Sequence, residues 1–225
     1  FFSRANDFGV SKNPTETLEI WDKEKVLADV IWTIRKFQPD VIVNRFDHRS
    51  PATTHGHHTA SAMLSVESFE LANNPTIFPE QLQFVKPWQT KRQFFNTSWW
   101  FYGSVEKFNA ADKTNLIALQ TGVYYAGLGK SNQEIAALSR SCHQSQGFGS
   151  TGVRGEETDY LEFINGVALK EKKSLFEGID TSWNRVRGGK PLGDLLTTIA
   201  AEFDHNNPSA SIPNLAKAYS MMKAL

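Results

Sequence analysis

Four of the chain's six histidines, His48, His55, His57 and His58, fall in the stretch from Asp47 to Ala62. Imidazole gains and loses its proton near neutral pH and, when neutral, ligates metals, so such a cluster points to acid–base or metal chemistry. His55 and His58 are three positions apart. If a helix begins near Thr54, they share its face and converge on a point in front of its first turn. The positive end of that helix disfavours imidazolium and favours the neutral form a metal takes. Gly56 would let a ligand approach the backbone. The plainer alternative is a polar loop whose histidines cap a helix and meet solvent. Two histidines do not complete a catalytic zinc site, which takes about three protein ligands and an open position. Asp47 and His48 are the nearest further donors, and Asp47 is equally suited to capping the turn or pairing with Arg45 or Arg49. No HExxH or CxxC motif is present.

These residues need elements to position them. Val41-Ile42-Val43 is a short apolar run that reads as a buried strand, placing the histidines between its end and a helix marked by Ala62, Val66 and Phe69. In open α/β sheets that edge binds ligands. Upstream, Val26, Leu27, Val30, Ile31, Ile34 and Phe37 form the stripe of a helix capped by Asp22 and ended by Pro39. A helix feeding an apolar strand is half of a βαβ unit, which favours a parallel sheet and calls for a strand before residue 1. Residues 1–20 read as a polar loop, 75–92 as a surface connection, and Gln93–Thr97 as a second strand. Leu116–Tyr125 reads as a further strand. Ser131 and Glu134 form a capping box, followed by a helix with Ile135, Leu138 and Cys142 on its buried face. Residues 147–155 read as a glycine-rich loop, and 158–167 and 175–187 are ambiguous. Asp194–Phe203 and Leu215–Leu225 read as helices. The fold class is therefore α/β, with one domain over residues 1–175 and a helical extension, or the start of a further region, over 176–225.

Composition excludes some partners. Lys+Arg and Asp+Glu both number 24, which gives no general attraction to nucleic acid or to an anionic membrane. A single cysteine, Cys142, rules out an internal disulfide framework. No apolar stretch approaches the roughly 20 residues that cross a bilayer. The chain opens on Phe1-Phe2-Ser3 without methionine and reads as a piece of something longer.

Gln38-Pro39-Asp40-Val41-Ile42-Val43, followed by His55-Gly56-His57-His58-Thr59-Ala60, resembles the second motif of the LmbE-like, PIG-L-type N-acetylglucosaminyl deacetylases. Arg140, His143, Ser145 and Gln146 resemble that family's late His-x-Ser-Gln element, so the likeness covers roughly residues 1–150. It implies a Rossmann-like parallel sheet flanked by helices, its first strand missing from this chain. It further implies hydrolysis of the acetamide of a sugar or glycoconjugate with Zn2+, or another divalent metal such as Fe2+. By motif position His58 would ligate the metal and His55 would stabilise the oxyanion and protonate the leaving amine. Arg4 and Asp7 fall where the family contacts the sugar. There are two departures. His57 stands where the family has an aspartate, and the first motif, with two ligands and the general base, does not occur. The expectation is thus an enzyme as part of a longer chain, this piece being inactive alone.

Further substrate-binding candidates are Arg45 and Asp47 at the strand end and His143 with Gln146 from another side. Trp99, Trp100, Phe101 and Tyr102 could stack on a sugar ring. Four consecutive aromatics cannot all be core on a strand, so at least one should be exposed. The competing function is a carbohydrate-binding or degenerate scaffold domain in which the histidines are incidental.

Overall fold

The computed structural model describes residues 3–225; the opening Phe1-Phe2 pair lies outside them. In chain order the elements are α1 (Pro14–Trp21), α2 (Lys23–Phe37), β1 (Val41–Asn44), α3 (Gly56–Leu71), β2 (Arg92–Thr97), α4 (Trp99–Tyr102), α5 (Val105–Ala110) and β3 (Leu116–Gln120). There follow β4 (Tyr124–Tyr125), β5 (Lys130–Ser131), α6 (Asn132–Ser141), β6 (Thr158–Gly166), α7 (Lys190–Ala201) and α8 (Ile212–Lys223). They form two compact units, Phe1–Val123 with Arg154–Glu177, and Tyr124–Val153 with Gly178–Leu225. Residues 124–153 group with the chain's end.

The first unit is built on a four-stranded mixed sheet in the order β1-β2-β6-β3. β1 and β2 are parallel, with Val41 opposite Arg92 and Asn44 opposite Phe95. The other pairs are antiparallel, so the expected α/β sheet flanked by helices is mixed where a parallel one was expected. The reason lies in β6, whose alternation sends Leu161 and Phe163 to one face and Tyr160 and Glu162 to the other. That is the pattern of an antiparallel strand. On one face, Leu27, Ile31 and Ile34 of α2 pack with Ala60 and Leu64 of α3, with Ile42 beside them. On the other, Phe94, Ile117 and Leu161 pack under Leu169 and Leu175.

α2 begins where Asp22 accepts from the Lys25 amide, as its sequence implies. Residues 1–20 are not all loop, because Asn13 caps α1 and Pro14 occupies its first turn. Asn-Pro is a start signal for a helix, so this element was legible and missed. The 75–92 segment is likewise no loose connection. Arg35, 1% exposed, donates to the carbonyls of Ala72, Asn74, Ile77 and Phe78 and to Gln81 Oε1, fastening that segment to α2.

In the second unit, Ser131 and Glu134 form the expected capping box at the start of α6. Its buried position is Ala137, whereas Ile135, Leu138 and Cys142 are exposed. The expected buried face is thus corrected: α6 is amphipathic, but its larger apolar side chains face outward within this unit. α7 and α8 pack through Leu192, Ile199 and Ala218, with Trp183 against them.

Candidate functional site

The carboxyl ends of β1 and β2 lie side by side, as parallel pairing requires. From β1 the chain turns through residues 45–55 into α3. Asp47 holds this turn: Oδ1 accepts from the Arg49 amide at 3.0 Å and Oδ2 from the Ser50 hydroxyl at 2.8 Å. Arg49 Nε also reaches Oδ1, at 2.8 Å. The same guanidinium forms a bidentate pair with Glu162, at 2.8 and 2.7 Å, tying the turn to the central antiparallel strand. Burial works to raise the Asp47 pKa, but the Arg49 and Ser50 hydrogen bonds outweigh it and the carboxyl stays below its ordinary value. Arg49 is raised, chiefly by its bond to Glu162.

α3 begins at Gly56, two residues after the Thr54 start that the sequence suggests. His55 is its N-cap, in extended conformation and without a side-chain capping bond. His58, in the first turn, is stacked between two rings, Phe46 at 3.9 Å and 9° and His55 at 5.2 Å and 12°. Its pKa is lowered first by burial and then by the neighbouring His55, His57 and Lys12. A neutral imidazole whose faces are covered presents its ring edge, where the nitrogens lie, and that form suits a metal or an accepted hydrogen bond. His48 is also lowered, by burial, with Asp47 opposing at 3.6 Å.

His57 turns away from this pair. Its ring stacks on Phe8 at 4.2 Å and meets the edge of Trp21 at 5.6 Å. Nε2 is buried without a hydrogen-bond partner. Gly56 does not open the backbone to a ligand, which corrects that reading. A Cβ there would lie 2.6 Å from the Asn13 carbonyl oxygen and 2.6 Å from Thr17 Oγ1. The Gly56 amide donates to the Ser11 carbonyl at 2.7 Å. Its missing side chain lets α1 dock against α3.

The remaining candidates divide. Arg45 is exposed, with one bond to the Asn96 carbonyl at 3.3 Å, and its guanidinium lies 5.8 Å from the Phe46 ring centre. It is therefore beside the histidine stack. Asp7 is exposed on the loop that Phe8 anchors to His57. Arg4 is held on α2, by Asp29 at 2.8 Å and the Lys25 carbonyl at 2.9 Å. His143 belongs to the second unit, in the turn after α6, where Ser145 Oγ lies 3.3 Å from its Nδ1. Cys142, read as buried, is exposed.

Beyond β2, Phe101 packs on Phe95 and Tyr102 on Phe108, while Trp99 and Trp100 are each 51% exposed. Burial and the nearby Glu162 raise the Tyr102 pKa. Sequence reasoning missed Glu162, on a segment it left ambiguous, and Phe46, whose stacking role has no sequence signature.

Among the described residues no three His, Cys, Asp or Glu side chains converge as a metal site. His58 suits a divalent metal in chemistry, but the donor set does not amount to a catalytic zinc centre. Comparison with protein-family models, with curated proteins and with solved structures finds no match.

Proposed function

We propose that this chain forms part of the active site of an N-deacetylase acting on an N-acetylglucosamine-type sugar or glycoconjugate, on a Rossmann-like α/β scaffold. The observation that carries the reading is the Phe46–His58–His55 stack at the carboxyl edge of a parallel strand pair. That is where such folds place ligands. In this reading His58 serves as one ligand of a zinc or iron ion. Among the described residues no three His, Cys, Asp or Glu side chains converge around it. His55 sits at the exposed end of the stack and can carry a proton to a leaving amine. Arg45 and Asp7 are the candidates whose charges are open to a sugar hydroxyl. Asp47, with both oxygens engaged, shapes the turn.

Metal analysis and acetate release from an N-acetylglucosamine derivative, measured on the full natural protein, test the proposal. His58→Ala should lose metal and activity together, whereas His55→Ala should keep the metal and lose most activity. Unchanged metal content in His58→Ala refutes the ligand assignment. Absence of acetate release from the unaltered protein refutes the enzyme.

A second reading draws on the exposed Trp99 and Trp100, a surface suited to stacking on a sugar ring. It makes the chain a carbohydrate-binding domain, and predicts glycan binding that neither a chelator nor His58→Ala alters.

A further inference from the structure

α8 carries two apolar seams, and its own unit fills one of them. The filled seam holds buried Ala218 with Met221 beside it, packed on Leu192 and Ile199 of α7. The second seam holds Ile212, Leu215, Tyr219 and Met222. Their spacings of three, four and three residues are those of alternating a and d positions in a heptad. At about 100° per residue the four share one face, about a quarter-turn around the helix from the side that meets α7. Each is between 47% and 61% exposed. A lone apolar side chain at a surface needs no explanation, but a row of four on one helix face marks an interaction site.

The seam itself indicates its occupant. In an antiparallel pair of α8 helices centred on Lys217, Ile212 of one copy meets Met222 of the other, and Leu215 meets Tyr219. Every layer then joins two apolar side chains. A two-fold interface requires the same patch on both partners to complement itself, and this seam does.

Charge favours the same arrangement. The only charged side chains on α8 are Lys217 and Lys223. By the 100° count Lys217 points away from the seam. Lys223 flanks it, with Nζ 5.0 Å from the Tyr219 ring centre. Antiparallel pairing sends the two Lys223 side chains to opposite ends of the interface. A parallel pair would gather them at one end and align the two helix dipoles.

The area agrees with a reversible dimer. Covering the four side chains and their flanks removes about 500 Å² per copy and about 1,000 Å² in all, the least that a specific interface needs. Such a contact forms and dissociates in the micromolar range instead of being obligate.

We propose that α8 docks antiparallel on α8 of a second copy of this chain through Ile212, Leu215, Tyr219 and Met222. The pairing belongs to the second unit and holds whether or not the histidine stack is catalytic.

Sedimentation equilibrium of the 225-residue chain tests this. Between roughly 1 and 500 μM the average mass should rise about twofold and level at the dimer. Tyr219→Glu sets a charge in the seam and should weaken association at least tenfold. If that variant loses helical circular dichroism, and so does not fold, Met222→Lys replaces it with the same expectation. Register is read by oxidative cross-linking in a Cys142→Ser background, which removes the exposed native thiol. Leu215→Cys chains mixed with Tyr219→Cys chains should give a covalent dimer, and neither variant alone should. A chain that stays monomeric throughout overturns the proposal, since the seam is then covered in some other way. So does a dimer that the folded seam variant leaves intact, association that passes the dimer without levelling, or cross-linking of Leu215→Cys with itself.

Discussion

At the scale of single residues, neighbouring side chains in one motif take different tasks because a helix turns them about 100° apart at each step. His58 faces Phe46 and His55, and His57 faces Phe8 and Trp21. Gly56 is held to its identity by contact with a backbone atom, which cannot rotate aside. Gly56→Ala should destabilise the first unit by about 1–3 kcal/mol, read as a lower urea midpoint. Glu162 is the other decisive residue. Glu162→Gln removes the carboxylate that pairs Arg49 and costs about 1 kcal/mol for an ion pair open to solvent on its Arg49 side. It should also lower the Tyr102 pKa toward the ordinary value, though not fully, because burial remains. A difference titration of tyrosinate absorbance against the unaltered protein reads this directly; an unchanged curve means the two groups do not communicate.

At the scale of elements, α2 does more than feed β1. Its Arg35 gathers the carbonyls that end α3 and line the following turns. A guanidinium has five N–H donors in a fixed plane and an ammonium three on a point. Arg35→Lys therefore strands buried carbonyls, with an expected loss of about 3 kcal/mol or more, measured by chemical denaturation. The Asp47 turn is the corresponding device for the site. Ala52 in this turn has φ of 68°, a left-handed conformation uncommon for a residue with a side chain. Asp47, Ser50 and Arg49 hold the turn in that shape between β1 and α3.

At the scale of the whole molecule, stability should depend on pH through His48 and His58. Both have folded pKa values below the ordinary 6.5, with burial as the first cause. The unfolded chain therefore binds protons more readily as pH falls through that value. Their contribution is complete above about pH 6.5 and is lost as pH drops through the lower folded values. The urea midpoint should fall between pH 7.5 and 5.5, with a shallower slope in a His48→Asn, His58→Asn double variant. Asp47, held below its ordinary 3.8, adds a separate loss only in stronger acid. A slope identical in the double variant would assign the dependence to other groups.

Sequence by itself determined the local elements of the first unit's centre. The α2 stripe with its Asp22 cap, the β1 run and the α3 pattern, like the Ser131 capping box of the second unit, depend on periodicities and caps carried by neighbouring residues, and each is present, though β1 is an edge strand with Val43 exposed and not the buried strand its run implied. It also determined that the histidines stand where a strand ends and a helix begins. Tertiary structure decided the rest, because the deciding contacts join residues far apart in the chain. The direction of β6 made the sheet mixed, and Glu162 reached Arg49 from a segment whose alternation alone named no partner. Close docking of α1 turned Gly56 from an opening into a packing contact. Phe46 turned His58 from one of four loop histidines into the centre of a three-ring stack. Periodicity shows which face a side chain occupies, but only the assembled chain shows what lies against that face.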